Sequence, residues 1–253
     1  MIDGHCHLDK AIGSCVGALK ALRYSAEVSQ VKQIILLNVA ERDYDNESVI
    51  DKAKKYNGFF KVFPSVNPHT KSAIKELQQL KSLGAVGLKL HPRLQKYRLD
   101  SKETVRLVRE AGDLNMPVVI DCFPDGINLM LGNTPEKFLV LAKSAPKARI
   151  AIGHSGGHRL LDALMVAKTF TNIYLDLSFM LLYYRNSSVI RDIPFIISSI
   201  RAERIFWGSD YPDRAYGETV KLSLQELIGM KLSKEVMRKV LELNVKQFLG
   251  ESL

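Results

Sequence analysis

The sequence predicts an α/β protein: a single (β/α)₈ barrel of the TIM type, slightly distorted, running over residues 1–253 as one domain. Three observations carry this reading. Eight short apolar, β-branched segments alternate with amphipathic helical ones at a period of roughly 25 to 32 residues. All six histidines fall at or just beyond the end of a predicted strand, the face on which such barrels keep their active sites. No Pro/Gly/Ser-rich linker, low-complexity tract or repeat interrupts the 253 residues, a length that suits one large barrel.

The predicted strands are, in order, Met1 to His7, Gln33 to Ala40, Phe60 to Asn67, Ala85 to His91, Pro117 to Phe123, Ala148 to His154, Asn172 to Ser178 and Arg204 to Asp210. Between them, 70–83, 101–115 and 134–145 show helical periodicity. Thr134-Pro135-Glu136 has the order of an N-cap, a first-turn proline and an early acid, which predicts a helix start at that point.

Composition narrows the class. Hydrophobic residues make up 46% and charged residues 25%, as in ordinary globular proteins. No apolar run is long enough to span a bilayer, and the first strand leaves no room for a signal peptide. Three cysteines without a CxxC pair predict reduced thiols and a cytoplasmic setting. The net charge of +9 is scattered, without a basic block carrying interleaved aromatics, so it favours a small anionic substrate over nucleic acid.

Strand parity sorts the polar candidates. Alternate residues of a strand share a face, so His5 and His7 can address one metal ion. The same rule groups Gly87, Lys89 and His91; Val119, Asp121 and Phe123; Ile150, Ile152 and His154; and Phe206, Gly208 and Asp210. One choice of inward face sends His5, His7, Lys89, His91, Asp121, His154 and Asp210 toward the barrel mouth. Imidazole and carboxylate ligands together suit a divalent ion, Zn²⁺ first, with Mn²⁺ or Mg²⁺ as alternatives.

In order, HxH at 5–7, GLKLHP at 87–92, HSGG at 154–157 and WGSDYP at 207–212 resemble the amidohydrolase superfamily, in the metal-dependent hydrolase and decarboxylase branch called amidohydrolase 2. The resemblance covers essentially the whole chain. It implies that His5 and His7 are metal ligands and that Asp210 binds metal and takes a proton from the attacking water. It implies further that His154 acts on substrate or water, or ligates a second metal. Strand five departs from the family: Asp121 stands where a metal-binding histidine is usual, and is expected either to ligate through oxygen or to mark a lost ligand.

Lys89 has three readings: a carbamylated bridge between two metals, an ion pair with Asp3, and a contact to a substrate carboxylate. His91 is divided between substrate contact and a structural role. In the loop that follows, Arg93 is a candidate for binding an anionic substrate. Gly156 and Gly157 either receive an anion on backbone N–H groups or serve a turn that needs glycine. Tyr183, Tyr184 and Arg185 leave a lid or a homodimer contact open.

The expected activity is hydrolysis of an amide, lactone or ester bond in a small anionic substrate, by water activated at one or two divalent ions. Non-oxidative decarboxylation is the close alternative. A TatD-type metal-dependent deoxyribonuclease shares the opening HCHLD, but GLKLHP replaces the glutamate strand typical of that group. A barrel that has lost its metal and serves only in binding is the remaining alternative.

Overall fold

The computed structural model describes residues 1–252. Eight parallel strands follow in chain order: β1 (Ile2–Cys6), β2 (Gln33–Asn38), β3 (Phe60–Pro64), β4 (Leu88–Leu90), β5 (Val118–Ile120), β6 (Ile150–Ile152), β7 (Ile173–Asp176) and β8 (Ile205–Phe206). They pair as β1-β2-β3 and as β4-β5-β6-β7-β8. The seams between these two sheets carry a few scattered backbone bonds in place of regular ladders. Val86 N–H donates to Val62 O at 2.9 Å and Ser65 bridges Lys89 on one side; Gly4 N–H donates to Trp207 O at 3.0 Å on the other.

All eight strands are shorter than the sequence predicts, most of all β8, where the expected Arg204–Asp210 reduces to two residues. Residues are lost at both ends, and at the mouth end of every strand the backbone leaves the ladder to aim side chains across the barrel.

Helices clothe the outside. Ser101 caps the helix Lys102–Asp113 by accepting Thr104 N–H at 3.2 Å, and its buried Thr104, Leu107, Val108 and Ala111 recur at helical spacing. The predicted start at Thr134 is corrected. Thr134 makes no capping bond, and a 3₁₀ turn, Pro135–Lys137, precedes the helix Phe138–Ser144.

Two apolar layers result. A large outer core lies between strands and helices. A smaller inner one fills the barrel floor with Ile2, Ile35, Leu37, Phe63, Val119, Ala151, Tyr174 and Phe206, plugged from below by Val245, Phe248 and Leu249 of the helix Asn244–Leu249. Among the described residues, no helix is long and apolar enough to cross a membrane, and Cys6, Cys15 and Cys122 are free thiols.

Candidate metal centre and active site

Two local departures from strand regularity bring the site together. In β1, Asp3 pairs with Ile34 and Cys6 with Leu36, both outer-core residues of β2, so an extra residue is inserted between them. That insertion returns His5 to the inner face and leaves Asp3 on the outer one. Asp3 accepts His5 N–H at 3.1 Å and Ser209 N–H at 2.9 Å. The expected Asp3–Lys89 pair is therefore corrected: the acids acting on the buried Lys89 are Asp121, Asp210 and Asp176, and burial lowers its pKa against their pull.

The second departure follows β6. Parity predicted Ile150 and Ile152 on the inner face with His154, but Ala151 is the inner residue and both isoleucines face the helices. His154 reaches the site because the chain turns left-handed: φ is 53° at His154, 46° at Ser155, 74° at Gly156 and 60° at Gly157. A Cβ on Gly157 would lie 2.4 Å from Pro124 Cδ, so close packing as well as backbone conformation demands glycine there. Asp210 and Phe179 also have left-handed backbones, at φ 56° and 65°. Such strain gathers where the surrounding structure fixes a functional side chain.

His5, His7 and Asp210 converge as the sequence predicts, with ligand atoms all within 4.8 Å of one another. Asp210 Oδ1 lies 3.2 Å from His5 Nε2 and 3.7 Å from His7 Nε2. The Nδ1 atoms are engaged elsewhere. His7 Nδ1–H donates to Leu37 O at 2.6 Å, and His5 Nδ1 meets Asp176 Oδ2. Each Nε2 thus presents a lone pair to the same space. His5 Nε2 is fully buried and has no hydrogen-bond partner in the protein. An orphaned imidazole nitrogen facing a second imidazole and a carboxylate fits a divalent cation.

Electrostatics agree with that fit. Burial, reinforced by Lys89 and His154, holds His5 well below the usual imidazole pKa, and burial with Arg42 brings His7 down to about 4. Both are neutral at physiological pH, as ligands must be. Burial raises Asp210 to about 6, against the pull of His154 and Lys89. At His154, burial is overcome by Asp210, Asp121 and Asp176, and its pKa rises to about 9. Asp43 stands behind His7: against burial, the His7 imidazole 3.7 Å away and hydrogen bonds from Arg42 keep its carboxyl well below the ordinary range.

Asp121 lies outside the His5/His7/Asp210 group. Its Oδ1 is 3.4 Å from His154 Nε2, and its Oδ2 accepts Asn128 Nδ2–H at 3.0 Å. His91 is buried with Nδ1 3.8 Å from Asp121 Oδ2. Neither His91 nor Lys89 lines the cavity above His5, His7 and Asp210, whereas Arg93 does. Lys96 and Arg98 of the same loop are exposed. Arg185 pairs with Glu226.

That cavity has a volume of about 440 Å³. Its floor is His7, His154 and Asp210; Phe123 and Phe179 wall one side, with ring centroids 5.2 Å apart in a T-shaped contact, and Lys10, Arg42 and Arg93 supply cations at its edge. Sequence reasoning missed Asp43, Asp176, Ser178 and Phe179. Parity held a signal for Asp176, which shares the inner face of β7 with Tyr174. Nothing local to the sequence marks Phe179, whose aim depends on its left-handed backbone.

Comparison with known proteins agrees with this architecture. The amidohydrolase family model matches residues 2–250. An uncharacterized TIM-barrel protein from Bordetella bronchiseptica is 18% identical with a TM-score of 0.83, over 99% of this chain and 98% of that one. A probable 2-pyrone-4,6-dicarboxylic acid hydrolase from Acinetobacter baumannii, with citric acid bound, is 16% identical at TM-score 0.69, over 98% of each chain. The 5-carboxyvanillate decarboxylase from Sphingomonas paucimobilis is 14% identical at TM-score 0.69, over 100% of this chain and 99% of that one. No curated protein matches the sequence. With residues 2–250 under the family model, the chain belongs to the amidohydrolase family, in its amidohydrolase 2 branch.

Proposed function

We propose that this protein is a metal-dependent hydrolase that cleaves an amide, lactone or ester bond in a small anionic molecule. The observation that carries the reading is the orphaned His5 Nε2 directed, with His7 Nε2, at Asp210 beneath a cavity edged by Lys10, Arg42 and Arg93. His5, His7 and Asp210 would hold the ion. Bound there, a divalent cation such as Zn²⁺ supplies Lewis acidity and lowers the pKa of water.

The chain's own groups do the rest. Asp210, with its raised pKa, accepts a proton from the attacking water as the new C–O bond forms, and returns it to the leaving oxygen or nitrogen as the scissile bond breaks. His154, whose pKa Asp210, Asp121 and Asp176 raise against burial in the metal-free protein and which is held toward Asp121, stabilises negative charge on the substrate oxygen. The arginines and Lys10 orient a carboxylate. The hydrolase named among the structural neighbours acts on a dicarboxylic acid, which is compatible with this cationic edge.

Decarboxylation of a small aromatic acid is the second reading, favoured by the Phe123–Phe179 wall that would stack on a planar ring. The test is to load the protein with Zn²⁺ and, separately, Mn²⁺, and to assay carboxylated lactones for ring opening and hydroxybenzoates for CO₂ release. Asp210→Asn should keep part of the metal and lower turnover by about 10²–10⁴-fold. Failure to bind either ion, or wild-type turnover in Asp210→Asn, would overturn the mechanism. CO₂ release without lactone opening would decide for the second reading.

A further inference from the structure

We propose that Asp176 and Ser178, at the mouth end of β7, are positioning residues that fix the Nδ1 protons and relative orientation of His5 and His154; toward metal, the inference rests on the ligand assignment above. Neither residue lines the cavity, and both are fully buried. Asp176 Oδ2 meets His5 Nδ1 and lies 3.0 Å from Ser178 Oγ, while its Oδ1 accepts Ser178 N–H at 2.8 Å. His154 Nδ1 lies 3.1 Å from both the carbonyl oxygen and the hydroxyl of Ser178.

Donor and acceptor capacity assigns the protons. A carbonyl oxygen only accepts, so His154 Nδ1 carries a hydrogen. A carboxylate only accepts, so the Ser178 hydroxyl donates to Asp176 and turns a lone pair toward His154. The same carboxylate requires a hydrogen on His5 Nδ1, and this leaves the His5 Nε2 lone pair free for an ion. One buried carboxylate therefore sets His5 directly and reaches His154 through the Ser178 hydroxyl, the two imidazole centroids being 4.9 Å apart. The backbone repeats the link: Ser155 Oγ–H donates to Asp176 O at 2.8 Å, pinning the left-handed turn that carries His154 to β7.

The arrangement separates two effects. Loss of the Asp176 charge should disturb both histidines; loss of the Ser178 hydroxyl should disturb only His154. In Asp176→Asn the amide N–H₂ would oppose His5 Nδ1–H, so Zn²⁺ affinity, read by competition with a chromogenic chelator, should fall about 10–100-fold. Ser178→Ala should keep Zn²⁺ affinity within about threefold, because it leaves the carboxylate that orients the ligand histidine.

Long-range ¹H–¹⁵N spectra of the imidazoles provide a second readout, taken with and without Zn²⁺. In the metal-free wild type, His5 and His154 should both be Nδ1–H. Asp176→Asn should change both signals, and Ser178→Ala that of His154 alone, with Ser178→Thr restoring it. Wild-type Zn²⁺ affinity together with an unchanged His5 tautomer in Asp176→Asn would overturn the proposal. So would an unchanged His154 spectrum in Ser178→Ala, which decides the matter even if Asp176→Asn does not fold. A wild-type protein that binds no Zn²⁺ would defeat the metal assignment, while the metal-free spectra would still test the positioning claim.

Discussion

At the floor of the barrel, the rings of Phe63, Tyr174 and Phe206 gather around Phe248 at centroid distances of 6.3, 5.0 and 5.3 Å. Two residues further along the same strands stand Ser65, Asp176 and Gly208. The step of two keeps the inner face and changes the solvent problem. Below, burial is favourable by about 1.5–3 kcal/mol for each large apolar side chain. Above, Asp176 is joined by other buried ionisable groups, Asp121 and His5 among them, and each needs a partner to offset lost hydration. Asp176 finds His5 and Ser178; Asp121 finds Asn128, Arg93 and His154; His5 Nε2 finds none. The difference teaches that the floor provides stability and that the mouth, at His5 Nε2, holds a vacancy that an ion can fill.

The comparison can be broken from below. Phe248→Ala should cost about 3–5 kcal/mol, because it removes the ring on which three others pack. Its folded fraction should bind Zn²⁺ as the wild type does. Thermal and urea unfolding measure the first, chelator competition the second, and a large loss of affinity would show that floor and mouth are not separable.

Gly208→Ala attacks the border between the layers. A Cβ there would lie 2.6 Å from His5 Cβ and 2.7 Å from His5 N, so β8 and β1 must part. The expected cost is about 1–3 kcal/mol of overpacking. Unlike the floor variant, it should weaken Zn²⁺ binding, since His5 moves with its strand. Unchanged affinity would mean that the site tolerates displacement of a ligand.

Acid sharpens the contrast further. Burial, partly opposed by Asp121, lowers His91 from 6.5 to about 3 in the folded protein. Its contribution is therefore intact above the unfolded value of 6.5 and is lost progressively as pH falls toward 3. Below about pH 6, replacing it by His91→Gln should lessen the acid sensitivity of metal-free stability by about 1.4 kcal/mol per pH unit. Parallel stability-against-pH curves for the two proteins would contradict the assignment.

Much of this was legible in the chain. Eight strands and the convergence of His5, His7 and Asp210 follow from periodicity and parity, both consequences of backbone geometry. Parity failed where the backbone ceased to be a strand: the inserted residue in β1 reversed Asp3, and the left-handed turn at 154–157 delivered His154 from the wrong side of β6. Asp121 shows another limit. Its inward direction was predictable, but its engagement with His154 and Asn128 depends on loops that only the folded molecule brings near.

The helix Asn244–Leu249 shares its apolar cluster with Ile2, so the floor joins that helix to β1. During synthesis all eight strands emerge before the segment that fills them. A nascent chain at that stage has a mouth but an empty base, with the rings of Phe63, Tyr174 and Phe206 lacking their central partner. Completion of the barrel thereby waits for residues 244–249, and chains halted shortly before residue 245 are the ones that carry exposed aromatic surface for a chaperone or protease to recognise.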